Sequence, residues 1–367
     1  MTRKICVFCE TWGSGGIESF LHNVLLCMDL TGLEIDIVAE MIGESLFTDH
    51  LRDAGVRFVE LSGSIRKPLS NFRAFRSLLR RRKYDAVHLN IYQGMSLYYA
   101  RLAQKAGVPV RIAHSHNSAL RKSAARLIKQ GIHRLFSLRC TGSATDLWAC
   151  SHEAAAFMFP REALRTRGHR FIPNGIDTAR FRFRRDVREQ IREELGLEGA
   201  FVVGHVGRLC YQKNQRFLLS MLPALLRLRP ESRLLLVGEG EDLDGLRRYA
   251  GELGISDKVI FYGVSGQVET LLWAMDAFAL PSRFEGLCIV AVEAQAAGLP
   301  LLCSEGVTKE AGITALARWE PLDPELWAKV LAGTPDAERQ SGADSVREAG
   351  FDVARVGKSI EEAYRCI

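Results

Sequence analysis

The chain has 367 residues, enough for two domains with cores of their own, and its 47% hydrophobic and 25% charged content excludes a disordered, collagenous or miniprotein class. A net charge of +6 is too mild to mark a nucleic-acid binder, but it is unevenly spread. Between Leu61 and Thr145 a single acid, Asp85, stands against seventeen Lys and Arg, Arg121 and Lys122 among them.

In chain order, Ile5–Cys9 reads as the first strand. Its Cys6 and Cys9, three apart, point to opposite faces, which argues against a shared metal or disulfide. Nine cysteines, an odd number scattered among apolar segments, read as buried thiols of a reducing compartment. Only five apolar residues separate Arg3-Lys4 from Glu10, too few for a secretory leader, and no apolar run reaches the roughly 18 residues of a membrane span. A cytoplasmic protein is expected, with peripheral placement on the inner face of the plasma membrane left open.

Short Val- and Ile-rich segments then alternate with helical periods, the pattern of an α/β protein with parallel sheets. The first series has strands at 4–9, 34–39, 57–61, 86–89, 110–114, 147–150 and 170–172; the second has them at 202–206, 233–237, 259–262, 277–280 and 299–302. Pro173-Asn174-Gly175 divides the two. The expectation is two facing Rossmann-like, doubly wound domains with a cleft between them, 1–173 and 174–349, with a final helix from about 350 to 367 packing back on the first.

Ligands of such sheets bind beyond the carboxyl ends of the strands, where turns and helix N-termini leave N–H groups free. Three turns there carry chemistry. Gly13-Ser14-Gly15-Gly16 follows the first strand; alone it is as consistent with a plain chain reversal. Gly207-Arg208-Leu209 with Lys213-Asn214 places a guanidinium and an ammonium at a strand end, suited to a diphosphate, although a solvated basic loop would look alike. Pro281 to Leu287 sets Glu285 just past a strand and Gly286 and Leu287 in the expected first turn of the next helix. That helix carries Glu293, eight positions on and about 12 Å further if all of it is helical, as the one charge in an apolar stretch. A capping glutamate and a core ion pair would give the same pattern.

Together with Asn174-Gly175-Ile176-Asp177, Leu234–Gly238 and Val259-x-Phe261-x-Gly263, these motifs resemble a family 4 glycosyltransferase of the GT-B fold over nearly the whole chain. Ile112–Asn117 and the region around Trp327 resemble the EpsF-like exopolysaccharide and capsule enzymes. The resemblance implies a retaining glycosyltransferase that moves a sugar from a nucleotide diphosphate, UDP favoured over GDP, to a saccharide or polyprenyl-diphosphate-linked acceptor. It implies no required cofactor or metal. No nucleic-acid partner is expected, since neither an RNA-binding motif nor an aromatic stacking signature accompanies the basic region. By the same resemblance Arg208 and Lys213, with the backbone of Gly207, Gly286 and Leu287, bind the diphosphate. Glu285 holds the sugar, Glu293 the ribose, and Tyr262 flanks the base. Gly15 and Gly16 line the acceptor side, and a histidine, His116 ahead of His114, stands near the transferred sugar. Alternation points both histidines to one face. An epimerase-type enzyme on this architecture and a noncatalytic partner in polysaccharide assembly are the alternatives.

Two basic stretches, 69–83 and 119–138, carry apolar stripes: Phe72, Phe75, Leu78 and Leu79 in one, Leu120, Leu127, Ile128, Leu135 and Phe136 in the other. Each is expected to pack its stripe on the sheet and show charge to water; docking on anionic lipid is the alternative.

Overall fold

The computed structural model describes residues 2–120, 126–335 and 339–366. The chain divides into two compact units, Met1–Gly175 with Val353–Ile367, and Ile176–Asp352.

The first unit is built on β1 (Arg3–Trp12), β2 (Leu33–Ile42), β3 (Arg57–Glu60), β4 (Ala86–Ile91), β5 (Val110–Ser115), β6 (Asp146–Ala149) and β7 (Arg170–Phe171). All are parallel, in the order β3-β2-β1-β4-β5-β6-β7. Helices cover both faces of such a sheet, which is why Ile5 to Cys9 run apolar without alternation and are fully buried. Neither Cys6 nor Cys9 is bonded; all nine cysteines are free thiols. The strand order reverses between β1 and β4, so the turn after β1 opens at a topological switch point.

The second unit repeats the plan with β8 (Phe201–Val206), β9 (Ser232–Val237), β10 (Val259–Gly263), β11 (Ala277–Leu280), β12 (Leu301–Ser304) and β13 (Ala317–Glu320). Their order is β10-β9-β8-β11-β12-β13, again all parallel, and the reversal lies between β8 and β11. Its core joins Leu218, Leu222 and Leu225 of the helix Gln215–Leu228 to Leu234 and Leu236 of β9 and to Trp327.

The last helix, Val353–Arg365, belongs to the first unit and packs on the helix Gly16–Cys27. The chain leaves that unit at Gly175 and returns at Val353, and the two passages touch: a Cβ added to Gly175 would lie 2.9 Å from the Val353 Cα. Next to them, the Ile176 N–H donates to the Phe351 carbonyl at 2.8 Å.

Four expectations are corrected. The helix expected from Gly286 begins at Ile289, with Cys288 as its extended N-cap, so Gly286 and Leu287 lie in the preceding loop. Only four helical steps separate Ile289 from Glu293, about 6 Å of rise, and the twelve-ångström spacing does not apply. β12 starts at Leu301 rather than Leu299, because Gly298 at φ +74° ends the helix and Leu299-Pro300 completes the turn. β13 was not anticipated: it is a short edge strand, Ala-Arg-Trp-Glu, in which two of four residues are charged, and its residues are mostly half-buried.

The fourth concerns the basic stretches. In the helix Pro68–Arg82 the expected stripe does face the sheet, with Phe75, Leu78 and Leu79 buried. In the helix Arg126–Cys140 it does not. Leu127, Ile128, Leu135 and Leu138 are exposed, while His133, Ser137 and Cys140 face inward. Arg121 and Lys122 lie outside the described residues.

Candidate functional site

At the switch point of the second unit, the loops after β8 and β11 are knitted together. Asn214, left-handed at φ 59°, donates through Nδ2 to the Pro281 carbonyl at 3.1 Å and accepts from Arg283 at 2.8 Å. The Arg283 N–H donates to the Gln212 carbonyl at 2.8 Å, and Gln212 Nε2 reaches the Phe284 carbonyl at 3.1 Å. The loop after β9 closes on the same place. A Cβ on Gly238 would sit 2.3 Å from the Gly207 oxygen, and one on Gly240 would sit 2.2 Å from the Leu209 oxygen, so side chains are excluded there.

Inside this frame Lys213 Nζ meets Glu285 Oε1 at 2.8 Å and the Cys288 sulfur at 3.3 Å. Glu285 also accepts from Gln212 Nε2 at 3.3 Å. The lysine is 17% exposed and the glutamate 8%, so both charges have left most of their water. Burial works against the Lys213 ammonium, but the Glu285 carboxylate outweighs it and holds its pKa above the ordinary lysine value. Burial pushes the Cys288 thiol up, which keeps it neutral, although the neighbouring lysine pulls the other way. Beneath the lysine, buried His205 donates through Nδ1 to the Ala279 carbonyl at 2.8 Å and accepts at Nε2 from Gln215 at 3.1 Å. Gly207, at φ 153°, lies over it; a Cβ there would be 3.4 Å from Lys213 Cε.

Arg208 does not join the pair. Its side chain is 73% exposed and rests on Glu241 at 3.2 Å. Tyr262, 41% exposed, stands at the end of β10, where the ladder shifts register between Phe261 and Gly263. Glu293 lies on the buried helix Ile289–Ala296, and no donor among the described residues reaches its carboxylate. Burial pushes its carboxyl up to about 7, against the pull of Arg180, which is itself engaged by Glu269 at 2.7 Å.

In the first unit the turn after β1 leads into the helix Gly16–Cys27 with Gly15 as N-cap. A Cβ on Gly15 would lie 2.7 Å from a Glu18 carboxylate oxygen, so the site tolerates no side chain without displacing that group. On β5 and just past it, His114 and His116 share a face, ring centroids 4.0 Å apart. They are unequal. His114 has no exposed surface, whereas His116 is half-buried and bonds through Nε2 to Asn90 at 3.0 Å. Behind them a polar chain runs across the sheet: Tyr364 OH to His88 Nδ1 at 2.6 Å, then His88 Nε2 to His114 Nδ1 at 3.2 Å. Burial pushes His88 and His116 down to about 3, and His114 falls well below its ordinary value through burial and the two neighbouring rings. All three are neutral imidazoles at pH 7.

Sequence reasoning missed Gln212, Cys288, His88 and Tyr364. Gln212 sits inside a motif already singled out; Cys288 and His88 look like ordinary core positions; and Tyr364 is 276 residues from its partner.

A model of glycosyltransferase family 4 matches residues 14–180, and one of glycosyl transferases group 1 matches residues 187–313. The EpsF protein of Bacillus subtilis (strain 168) is 27% identical over 95% of this chain and 93% of its own length. A GDP-mannose-dependent phosphatidylinositol monomannoside mannosyltransferase of Mycolicibacterium smegmatis is 33% identical over 55% of this chain and 53% of its own. An Escherichia coli alpha-1,3-galactosyltransferase acting between UDP-Gal and alpha-D-GlcNAc-diphosphoundecaprenol is 28% identical over 66% of this chain and 63% of its own. Among solved structures, Anabaena HepE in complex with UDP and glucose superposes with a TM-score of 0.80 at 20% identity, covering all of both chains. Two parallel-sheet units and matches to both halves place the chain in one family: it belongs to the glycosyltransferases that join a family 4 N-terminal half to a group 1 C-terminal half on a GT-B fold.

Proposed function

We propose that this chain moves a sugar from a nucleotide diphosphate, a UDP-sugar, onto a saccharide or polyprenyl-diphosphate-linked acceptor with retention of configuration. The observation that carries the reading is the buried Lys213–Glu285 pair at the switch point of the second unit. A diphosphate entering there takes the ammonium of Lys213, the Arg208 guanidinium, which is free to swing from an exposed partner, and backbone donors of Gly286 and Leu287. Glu285, released from part of its hold on Lys213, accepts from donor-sugar hydroxyls. Glu293 takes the ribose hydroxyls and Tyr262 borders the base. In the first unit Gly15 and Gly16 form the acceptor side, and His116, the histidine with accessible surface, accompanies the transferred sugar.

Retention by a double displacement would need a second carboxylate about 5 to 5.5 Å from the first. The pair described here is a carboxylate with an ammonium, which suits the stabilisation of charge growing on a departing diphosphate. That diphosphate would take the acceptor proton, with the new bond forming on the face it leaves. Support for UDP comes from HepE and the E. coli relative; the M. smegmatis relative uses GDP-mannose.

Titration calorimetry with UDP and GDP tests the donor assignment, followed by hydrolysis assays of the corresponding sugar nucleotides. UDP is expected to bind at least about tenfold more tightly, or about 1.4 kcal/mol. Tighter GDP binding overturns the base assignment, and binding of neither overturns the reading. Glu293→Gln should separate stability from function. A carboxyl whose pKa is raised to about 7 costs the folded state increasingly as pH rises from 4.5 to 7. The amide should therefore stabilise the protein by about 3 kcal/mol at pH 8 and by under about 1 kcal/mol at pH 5, while nucleotide affinity falls about tenfold. Urea unfolding at the two pH values and calorimetry check both halves.

A further inference from the structure

The helix Arg126–Cys140 turns its apolar face away from the protein. Leu127 is 82% exposed, Ile128 67%, Ile132 41%, Leu135 45% and Leu138 70%. At about 100° per residue these five side chains fall within an arc of roughly 140°, one continuous outer face.

Hydrogen bonds fix this orientation. His133 Nδ1 accepts from the Gly94 N–H at 2.8 Å, which leaves its Nε2–H to donate to the Phe157 carbonyl at 3.0 Å. Ser137 donates to the Met158 carbonyl at 2.6 Å. Gly94 lies so close that a Cβ there would be 2.2 Å from the His133 oxygen. The helix is thus pinned by its polar side, and the leucines are left without a place in the core. An exposed apolar face of this extent on a soluble domain marks a surface that meets something.

Its charge says what. The helix holds no acid, and Lys129, Arg134 and Arg139 are exposed on it. The next helical layer continues the pattern: Tyr98 lies between Phe136 of this helix, which it meets edge to face, and Phe72 of the helix Pro68–Arg82, whose Arg73, Arg76, Arg80 and Arg81 are all exposed. Five apolar side chains among unopposed cations complement a bilayer with anionic headgroups, which receives apolar groups at its boundary and cations at its surface. We propose that the outer face of the helix Arg126–Cys140 docks this protein on an anionic membrane surface. The inference stands apart from the transferase reading, since membrane binding is measured without turnover.

Flotation of the full chain with vesicles of phosphatidylcholine, and of phosphatidylcholine mixed with phosphatidylglycerol, tests it. The protein is expected to float with the mixed vesicles and not with the neutral ones. Leu135→Ser with Leu138→Ser should lower the bound fraction about tenfold. Arg134→Ala with Arg139→Ala should weaken binding to the mixed vesicles and flatten its salt dependence. Neither double variant should move Tm, because all four side chains are exposed. Equal binding to both vesicle types, no flotation, flotation indifferent to the leucines, or a fall in Tm showing that they pack inside would each overturn the proposal. So would a dimer in light scattering that the leucine variant dissolves, because a second copy would then own the face.

Discussion

Lys213→Met is expected to lose about 3 kcal/mol of stability and about 10²- to 10³-fold in turnover, because it strands a buried carboxylate and removes charge stabilisation from the leaving group. Glu285→Leu should destabilise comparably by stranding the ammonium. The two effects part company in the double variant. With both charges replaced by apolar groups of similar volume, the desolvation penalty of each disappears along with their attraction, and stability should return to within about 1 kcal/mol of the parent. Turnover should not return at all. Urea unfolding and donor hydrolysis on the three variants give the comparison. Recovery of both quantities would mean that the pair only braces the loops after β8 and β11; recovery of neither would mean that Cys288 and Gln212 depend on the charges for their own placement.

Acid should unfold the protein through the imidazoles of the first unit. His88 and His116, held near 3, and His114, held well below its ordinary value, bind no proton in the folded state over most of the range where the unfolded chain binds one each. Where the unfolded state binds more protons, stability falls with falling pH, by about 1.4 kcal/mol per unit per proton. This loss opens as pH drops through 6.5 and continues toward 3. Glu40, which burial pushes up to about 7 even though Tyr99 hydrogen-bonds its carboxylate at 2.6 Å, acts in the opposite sense between 7 and 4.5. A difference measurement removes it. His114→Gln should be less stable than the parent at pH 7.5, having lost its fit to His88. That deficit should shrink by about 1.4 kcal/mol for each pH unit below 6.5 as one proton leaves the balance. A deficit independent of pH would show that His114 titrates in the folded protein as it does in the unfolded one.

The elements that bear the candidate site were readable because their signals are local. β8 and β11 are short, buried runs, apolar but for His205, and are followed at once by Gly207 and Pro281, so the loops carrying Lys213 and Glu285 could be placed at strand ends directly. What resisted reading depends on partners distant along the chain. The start of the helix Ile289–Ala296 is set by how the loop before it ties to Gln212 and Gly306, and nothing in Glu285-Gly286-Leu287-Cys288 alone favours one residue as the cap. Periodicity found the apolar stripe of the helix Arg126–Cys140 correctly and assigned it to the wrong side, since a helical repeat shows that two faces differ without showing which one is covered. There the decision fell to His133 and Ser137, whose acceptors and donors lie on segments remote in sequence. The line from Tyr364 to His114 is hidden for the same reason.

Because the polypeptide departs at Gly175 and re-enters beside it at Val353, the middle portion is a guest inserted into a host. During synthesis the guest is contiguous and can finish folding as soon as it clears the ribosome. The host must wait for its closing segment, with His88 and the helix Gly16–Cys27 uncovered until then. The adjacency of the two passages also means that a linker of a few residues could bridge them, and the host could then be made on its own without residues 176–352.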